Sequence, residues 1–170
     1  DACVTFASGM AAISAALGAV LKAGDEVLAH RLLYGCTHSL FTNWYPRLGI
    51  KVRRVDFTRP AEVAAAVGPR TRVLYYESPV NPTLDLIDIR AVRRICDAAS
   101  RRRAPDRAVL SIIDNTFATP FCQRPLEHGA HVVVHSLTKN MGGFGTELGG
   151  AVVCSRELYP KVLHYRKDFG

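Results

Sequence analysis

The chain alternates short apolar runs with stretches in which apolar residues recur every three or four positions. Strands are predicted at Glu26 to His30, Lys51 to Val55, Arg72 to Tyr76, Ala108 to Ile113, Val132 to Val134 and Ala151 to Cys154. The opening residues, Asp1 to Phe6, are already in apolar register. Ser8 reads as the N-cap of a helix running from Ala11 to about Lys22, with Gly24 as its stop. Thr37 to about Leu48 reads as a helix carrying Leu40, Phe41, Trp44 and Tyr45. Pro60 opens a short helix over Ala61 to Val67, where a first-turn proline is favoured. Ile89 to about Arg103 is amphipathic, with Val92, Ile95, Cys96 and Ala99 at helical spacing, and a last helix is predicted near Arg156 to Tyr165. Strands without polar alternation, separated by helices, imply an α/β unit: a mostly parallel sheet with helices on both faces. Ligands bind such sheets beyond the carboxyl ends of the strands, so the loops after Tyr76, Ile113 and Val134 are where chemistry is sought.

Composition adds bounds. At 170 residues and 48% hydrophobic, the chain has ordinary globular make-up, enough for one domain with its own core. The net charge of +7 is spread along the chain, and its one dense run is Arg101-Arg102-Arg103. A basic nucleic-acid-binding module, the remote alternative, needs a broad cationic face with interleaved aromatics, which this run is too short to make. No window reaches the roughly 18 apolar residues of a membrane span. Five widely spaced cysteines without a CxxC pair argue against a disulfide framework or structural zinc and fit a reducing cytoplasm. No metal site is expected: His128, His131 and His135 lack ligand spacing, and there is no HExxH. Cys96 and Cys154 sit in apolar runs as core residues, and His38 falls on a helix surface. The chain starts without methionine and stops after a helix-like stretch, as an internal segment of a longer protein would.

Four local features carry chemistry. His135-Ser136-Leu137-Thr138-Lys139 follows a buried strand and leads into Gly142, Gly143 and Gly145. Partial desolvation of a lysine there favours its neutral amine and attack on a carbonyl. A Walker A loop needs its glycines before the lysine, and here they follow it. Asp114-Asn115-Thr116 ends an apolar strand, and a carboxylate in that position is costly unless it meets a cation or a donor. Ser8-Gly9-Met10 opens a helix whose free N–H groups and dipole make a phosphate seat. Tyr34 in Tyr34-Gly35-Cys36-Thr37 stands just past a strand, able to lie flat on a ring. Each has an ordinary reading alone: a solvated lysine, a loop-initiating aspartate, an unliganded cap, a packing tyrosine. Together they supply an amine for an imine, a carboxylate for a ring nitrogen, an aromatic platform and a phosphate cup, which is what pyridoxal 5′-phosphate requires of a protein.

These residues carry a resemblance. Ser8-Gly9-Met10-Ala11-Ala12-Ile13, Tyr34-Gly35-Cys36-Thr37, Glu77-Ser78-Pro79-Val80-Asn81-Pro82, Asp114-Asn115-Thr116-Phe117-Ala118-Thr119-Pro120 and His135-Ser136-Leu137-Thr138-Lys139 occur in that order. The chain resembles the Cys/Met-metabolism family of pyridoxal-phosphate enzymes, which holds cystathionine γ-synthase, cystathionine lyases, O-acetylhomoserine sulfhydrylase and methionine γ-lyase. The resemblance implies a fold-type I large domain spanning residues 1–170, with a preceding segment and a C-terminal small domain outside it. It implies Lys139 as the Schiff-base lysine and proton carrier, and Asp114 as the partner of the ring nitrogen. Tyr34 would stack on the ring and assist proton transfer, and Asn81 would reach the ring oxygen. The Gly9 and Met10 amides with the Ser136 and Thr138 hydroxyls would bind phosphate, and Cys36 would stand at the substrate site as in methionine γ-lyases. The implied reaction is γ-elimination or γ-replacement on a sulfur amino acid or O-acyl homoserine. A carbon–sulfur lyase is favoured over a synthase or sulfhydrylase, in a homotetramer built from dimers, and the 170-residue segment alone is expected to be inactive. Asn140 and Phe144 depart from the family pattern after the lysine, which leaves the reaction subtype open.

Overall fold

In the computed structural model, which describes residues 1–169, the chain forms β1 (Ala2–Phe6), α1 (Gly9–Gly18), β2 (Glu26–His30), α2 (Gly35–Ser39), β3 (Lys51–Val55), α3 (Pro60–Ala66), β4 (Thr71–Glu77) and α4 (Ile89–Ser100), followed by β5 (Leu110–Asp114), α5 (Thr119–Cys122), β6 (Val132–Ser136), β7 (Gly150–Cys154) and α6 (Tyr159–Phe169). The strands make one seven-stranded sheet in the order β1-β7-β6-β5-β4-β2-β3. Neighbours from β3 through β6 are parallel, and β7 runs antiparallel between β6 and β1. This is the mostly parallel α/β sheet the patterning predicts, with β7 as its one reversed member. Among the described residues no helix is long and apolar enough to cross a membrane.

Side chains of a strand point alternately to the two faces, and here both faces are covered. Val27, Ala29, Val73, Tyr75, Ile112, Val132, Val134 and Val152 pack with α1, Phe41 and Val162 of α6. Leu28, Leu74, Tyr76, Ile113 and Val133 pack on the other side with Val63 of α3 and Val92 and Cys96 of α4. Burial on both faces is why the strands read as unbroken apolar runs. Following the first face two residues onward from Tyr75, Ile112 and Val134 gives Glu77, Asp114 and Ser136. The core side of the sheet therefore turns polar at its carboxyl edge, where three neighbouring strands end together.

Two expectations change. The first helix stops at Gly18 rather than near Lys22, and Gly24 (φ +89) instead turns the chain into β2. Gly18 is where the Tyr165 ring of α6 lies against the helix, so close that a Cβ there would overlap it. The stretch from Thr37 to Leu48 is helical but not one α-helix: α2 passes into a wide turn over Leu40–Trp44 and a tight one over Tyr45–Leu48. Pro46 lacks the N–H that a continuous helix would use. Arg103, at the end of the basic run, turns inward, donating to the carbonyls of Gly68 (2.7 Å) and Thr71.

Candidate active site

A cavity of about 370 Å³ opens at the carboxyl edge of β4, β5 and β6, under the start of α1. It is lined by Gly9 and Met10 of α1, by Tyr34, by Glu77 and Asn81, by Asp114 and Thr116, and by Ser136, Thr138 and Lys139. Each cofactor-site residue predicted from sequence thus borders one space. Cys36 stands just outside the lining, its thiol 3.4 Å from the Tyr34 hydroxyl.

Each wall has a local cause. Ser8 caps α1 by accepting the Ala11 N–H at 3.1 Å. The amides of Gly9 and Met10 find no acceptor among the described residues, as the first turn of a helix leaves them. Residue 9 must be glycine for this approach: a Cβ there would stand 2.7 Å from the Ser136 Cβ. Gly150 of β7 serves the same contact from below, where a Cβ would overlap the Ser8 carbonyl. The helix start is thereby pressed onto the end of β6, beside the Ser136 hydroxyl.

The loop after β5 is tied on several sides. The Asn115 N–H donates to Val134 O (2.9 Å), the Ser136 N–H to Thr116 Oγ1 (2.8 Å), and the Thr116 N–H to Asp114 Oδ1 (2.9 Å). Buried Asn115 also exchanges hydrogen bonds with Gln123, whose side-chain amide donates to Ser78 O at 2.8 Å. Asp114 makes no ion pair among the described residues. Burial pushes its pKa up, against the Thr116 hydrogen bonds. A carboxyl group so placed calls for a cation or a donor from the cavity side.

Lys139 follows β6 in a wide turn over Leu137–Met141, which it breaks with non-helical backbone (φ −94, ψ −130). The desolvated lysine expected from the sequence is not what the structure has: Lys139 borders the cavity but is exposed to solvent. Thr138 also differs from expectation. Its hydroxyl donates to Gly149 O (3.3 Å) and accepts the Gly149 N–H (3.1 Å), so it braces the turn and keeps no free proton for an anion. Asn140, one of the departures from the family pattern, donates to Phe117 O at 3.1 Å and ties the lysine turn to the loop after β5.

Sequence reasoning missed Glu77. It is buried at the end of β4, opposite Asp114 in the sheet register, and its Oε1 accepts the Tyr34 N–H at 2.7 Å. Burial and the neighbouring Asp114 charge raise its pKa to about 7, against the Tyr34 and Asn81 amides. The available signal was its place as the last residue of an apolar strand, the same position that singled out Asp114.

The donor set suits pyridoxal phosphate. Free amides beside a hydroxyl meet a phosphate, a half-buried carboxyl group without an ion-pair partner among the described residues meets a protonated ring nitrogen, and an amine on the rim meets an aldehyde.

The family model described as Cys/Met metabolism PLP-dependent enzyme matches residues 1–170. Over 162 residues the chain is 42% identical to an L-methionine gamma-lyase from Pseudomonas deceptionensis, covering 95% of the chain and 39% of that protein. It is 41% identical over 152 residues to an O-acetyl-L-homoserine sulfhydrylase from Leptospira meyeri, covering 89% of the chain and 33% of that protein. The crystal structure of cystathionine gamma-lyase from Lactobacillus plantarum complexed with L-serine superposes with a TM-score of 0.92 at 35% identity, over 99% of the chain and 42% of its own. The chain thus spans about two fifths of such relatives, and it belongs to the Cys/Met-metabolism family of pyridoxal-phosphate-dependent enzymes.

Proposed function

We propose that the protein carrying this chain breaks the Cγ–S bond of methionine or cystathionine with pyridoxal phosphate as cofactor. The meeting of Lys139, Asp114 and the α1 start around one cavity carries the reading. The Gly9 and Met10 amides and the Ser136 hydroxyl would hold the phosphate, Tyr34 would face the ring, Asn81 would reach the ring oxygen, and Lys139 would join the aldehyde. Bound there, the cofactor supplies an electron sink for the Cα–H bond pair.

The chain's own groups do the remaining work. The Lys139 amine takes the Cα proton, passes it back to the cofactor-bound substrate at a neighbouring atom and, neutral again, takes a Cβ proton. A base positioned in this way contributes about 10²–10⁴-fold. Asp114 holds the ring-nitrogen proton, which keeps the sink strong. The Tyr34 hydroxyl, beside the Cys36 thiol, delivers a proton to the departing sulfur. Water then completes the balance, and thiol, ammonia and 2-oxobutanoate leave.

Favouring a lyase are the methionine gamma-lyase relatives at 39 to 42% identity and a cysteine at position 36. A second reading, replacement of an O-acyl group by a thiol, draws on the sulfhydrylase relative and on a probable cystathionine gamma-synthase at 40% identity. One assay on the full-length protein separates them. Ammonia and 2-oxobutanoate from methionine or cystathionine support the lyase, whereas thioether formed only from O-acyl homoserine and a thiol replaces it with the synthase. Phe117 and Leu148, exposed although they line the cavity, would be covered by a partner copy in a homotetramer built from dimers, which light scattering of the full-length protein tests.

A further inference from the structure

Residues 32–34 cross from β2 to α2 with Leu32 and Leu33 packed against the two sides of the core but with few hydrogen bonds. Arg31 N–H reaches Val55 O, and the next backbone bond, His38 N–H to Tyr34 O, already belongs to the helix turn. Among the described residues one hydrogen bond ties the crossing to the centre of the sheet, the 2.7 Å bond from the Tyr34 amide to Glu77 Oε1. The Asn81 amide lies near enough to lower the Glu77 pKa, and Asp114 stands beside Glu77 on β5. Glu77 therefore sits at the junction of three segments that carry Tyr34, Asn81 and Asp114 to the cavity. It makes no ion pair among the described residues.

We propose that Glu77 is a positioning residue, holding Tyr34 against the cavity through the bond from the Tyr34 amide, and that its carbonyl-type oxygen rather than its charge does this. The inference rests on the reading of the cavity as a pyridoxal phosphate site. A buried carboxyl group with a carboxyl neighbour and no cation favours its neutral form, which still accepts an N–H. Glutamine offers the same oxygen, whereas alanine leaves the Tyr34 amide without an acceptor.

Two measurements on the full-length protein test it. In the cofactor-free protein, hydrogen exchange over residues 32–38 rises about tenfold in Glu77→Ala and stays near wild type in Glu77→Gln. In the loaded protein, Glu77→Ala weakens pyridoxal phosphate binding about tenfold and alters the circular dichroism of the bound cofactor, and Glu77→Gln recovers most of both. In a Tyr34→Ala background, Glu77→Ala adds less than about twofold, because its effect runs through the tyrosine. Unchanged exchange in Glu77→Ala, equal damage from Gln and Ala, or effects that multiply in the double variant overturn the inference. Failure of the wild type to take up pyridoxal phosphate instead overturns the cofactor reading, and the exchange measurement still decides the role of Glu77.

Discussion

Glu77 and Asp114 end two neighbouring parallel strands in direct register, so their carboxyl groups lie side by side at the edge of the core with no cation paired to either among the described residues. Two like charges this close at the edge of the core are costly, and the cost shows as a pKa raised at each of the two carboxyl groups.

A pH dependence follows. Glu77 titrates near 7 in the folded cofactor-free protein, above its ordinary 4.5, with burial the larger cause and Asp114 the smaller. Facing it are Asp114 from β5, Tyr75 from its own strand and Tyr34 from the crossing. A raised folded pKa means that the folded state binds the extra proton. The resulting stability is fully present below the unfolded pKa and is lost as pH climbs through 7, amounting to about 3 kcal/mol at most. Glu77→Gln removes this slope, so in urea unfolding the variant gains on the wild type between pH 5 and pH 8. An equal difference at both pH values contradicts the assignment.

Lys139→Ala abolishes covalent capture. Borohydride treatment of wild-type protein with pyridoxal phosphate adds the cofactor mass to the peptide containing Lys139, and the variant peptide gains nothing. Mass appearing on Lys22, Lys51, Lys161 or Lys167 instead rejects the assigned amine. Asp114→Asn retains the attachment but lowers turnover by about 10²-fold or more, since the ring nitrogen loses its anionic partner.

Two glycine substitutions separate binding from packing. Gly9→Ala puts a methyl group 2.7 Å from Ser136 Cβ and pushes α1 off the end of β6. It costs about 1–3 kcal/mol of stability and weakens binding of pyridoxal phosphate. Gly18→Ala strikes the Tyr165 ring, on a face of α1 turned to α6 and away from the cavity lining. It lowers the melting temperature while cofactor affinity, scored on the fraction still folded, stays unchanged.

Ser8→Ala removes the acceptor of the Ala11 N–H. Stability falls by about 1 kcal/mol, the usual value of an N-cap. Ser8→Asp restores most of it, because aspartate caps equally well and is favoured by the helix dipole. Thermal unfolding of the three proteins at one pH checks the order.

Much of the site was legible because its residues are local punctuation. Asp114 and Ser136 stand where apolar runs give way to polar residues, Ser8 is a cap, and Lys139 follows a buried strand. Glu77 was less visible: it ends its strand in the same way, but as the first residue of a two-proline loop it reads as part of that loop. The state of Thr138 and Lys139 was not legible either. Whether a hydroxyl is spent on Gly149, and whether an amine faces solvent, depends on how the chain from Gly142 to Gly149 folds back over the turn.

By itself the sequence determined the kind of layer and the faces of its strands, since unbroken apolar runs are stable only where both sides of a sheet are covered. It also marked the edge where function sits, because polar residues end those runs on the side where ligands meet parallel strands. Only the tertiary structure decided which strands are neighbours: that β7 enters in reverse between β6 and β1, and that Glu77 lies beside Asp114. Period-two patterning sets which way a side chain points, whereas its partner across the sheet comes from pairing with residues far along the chain.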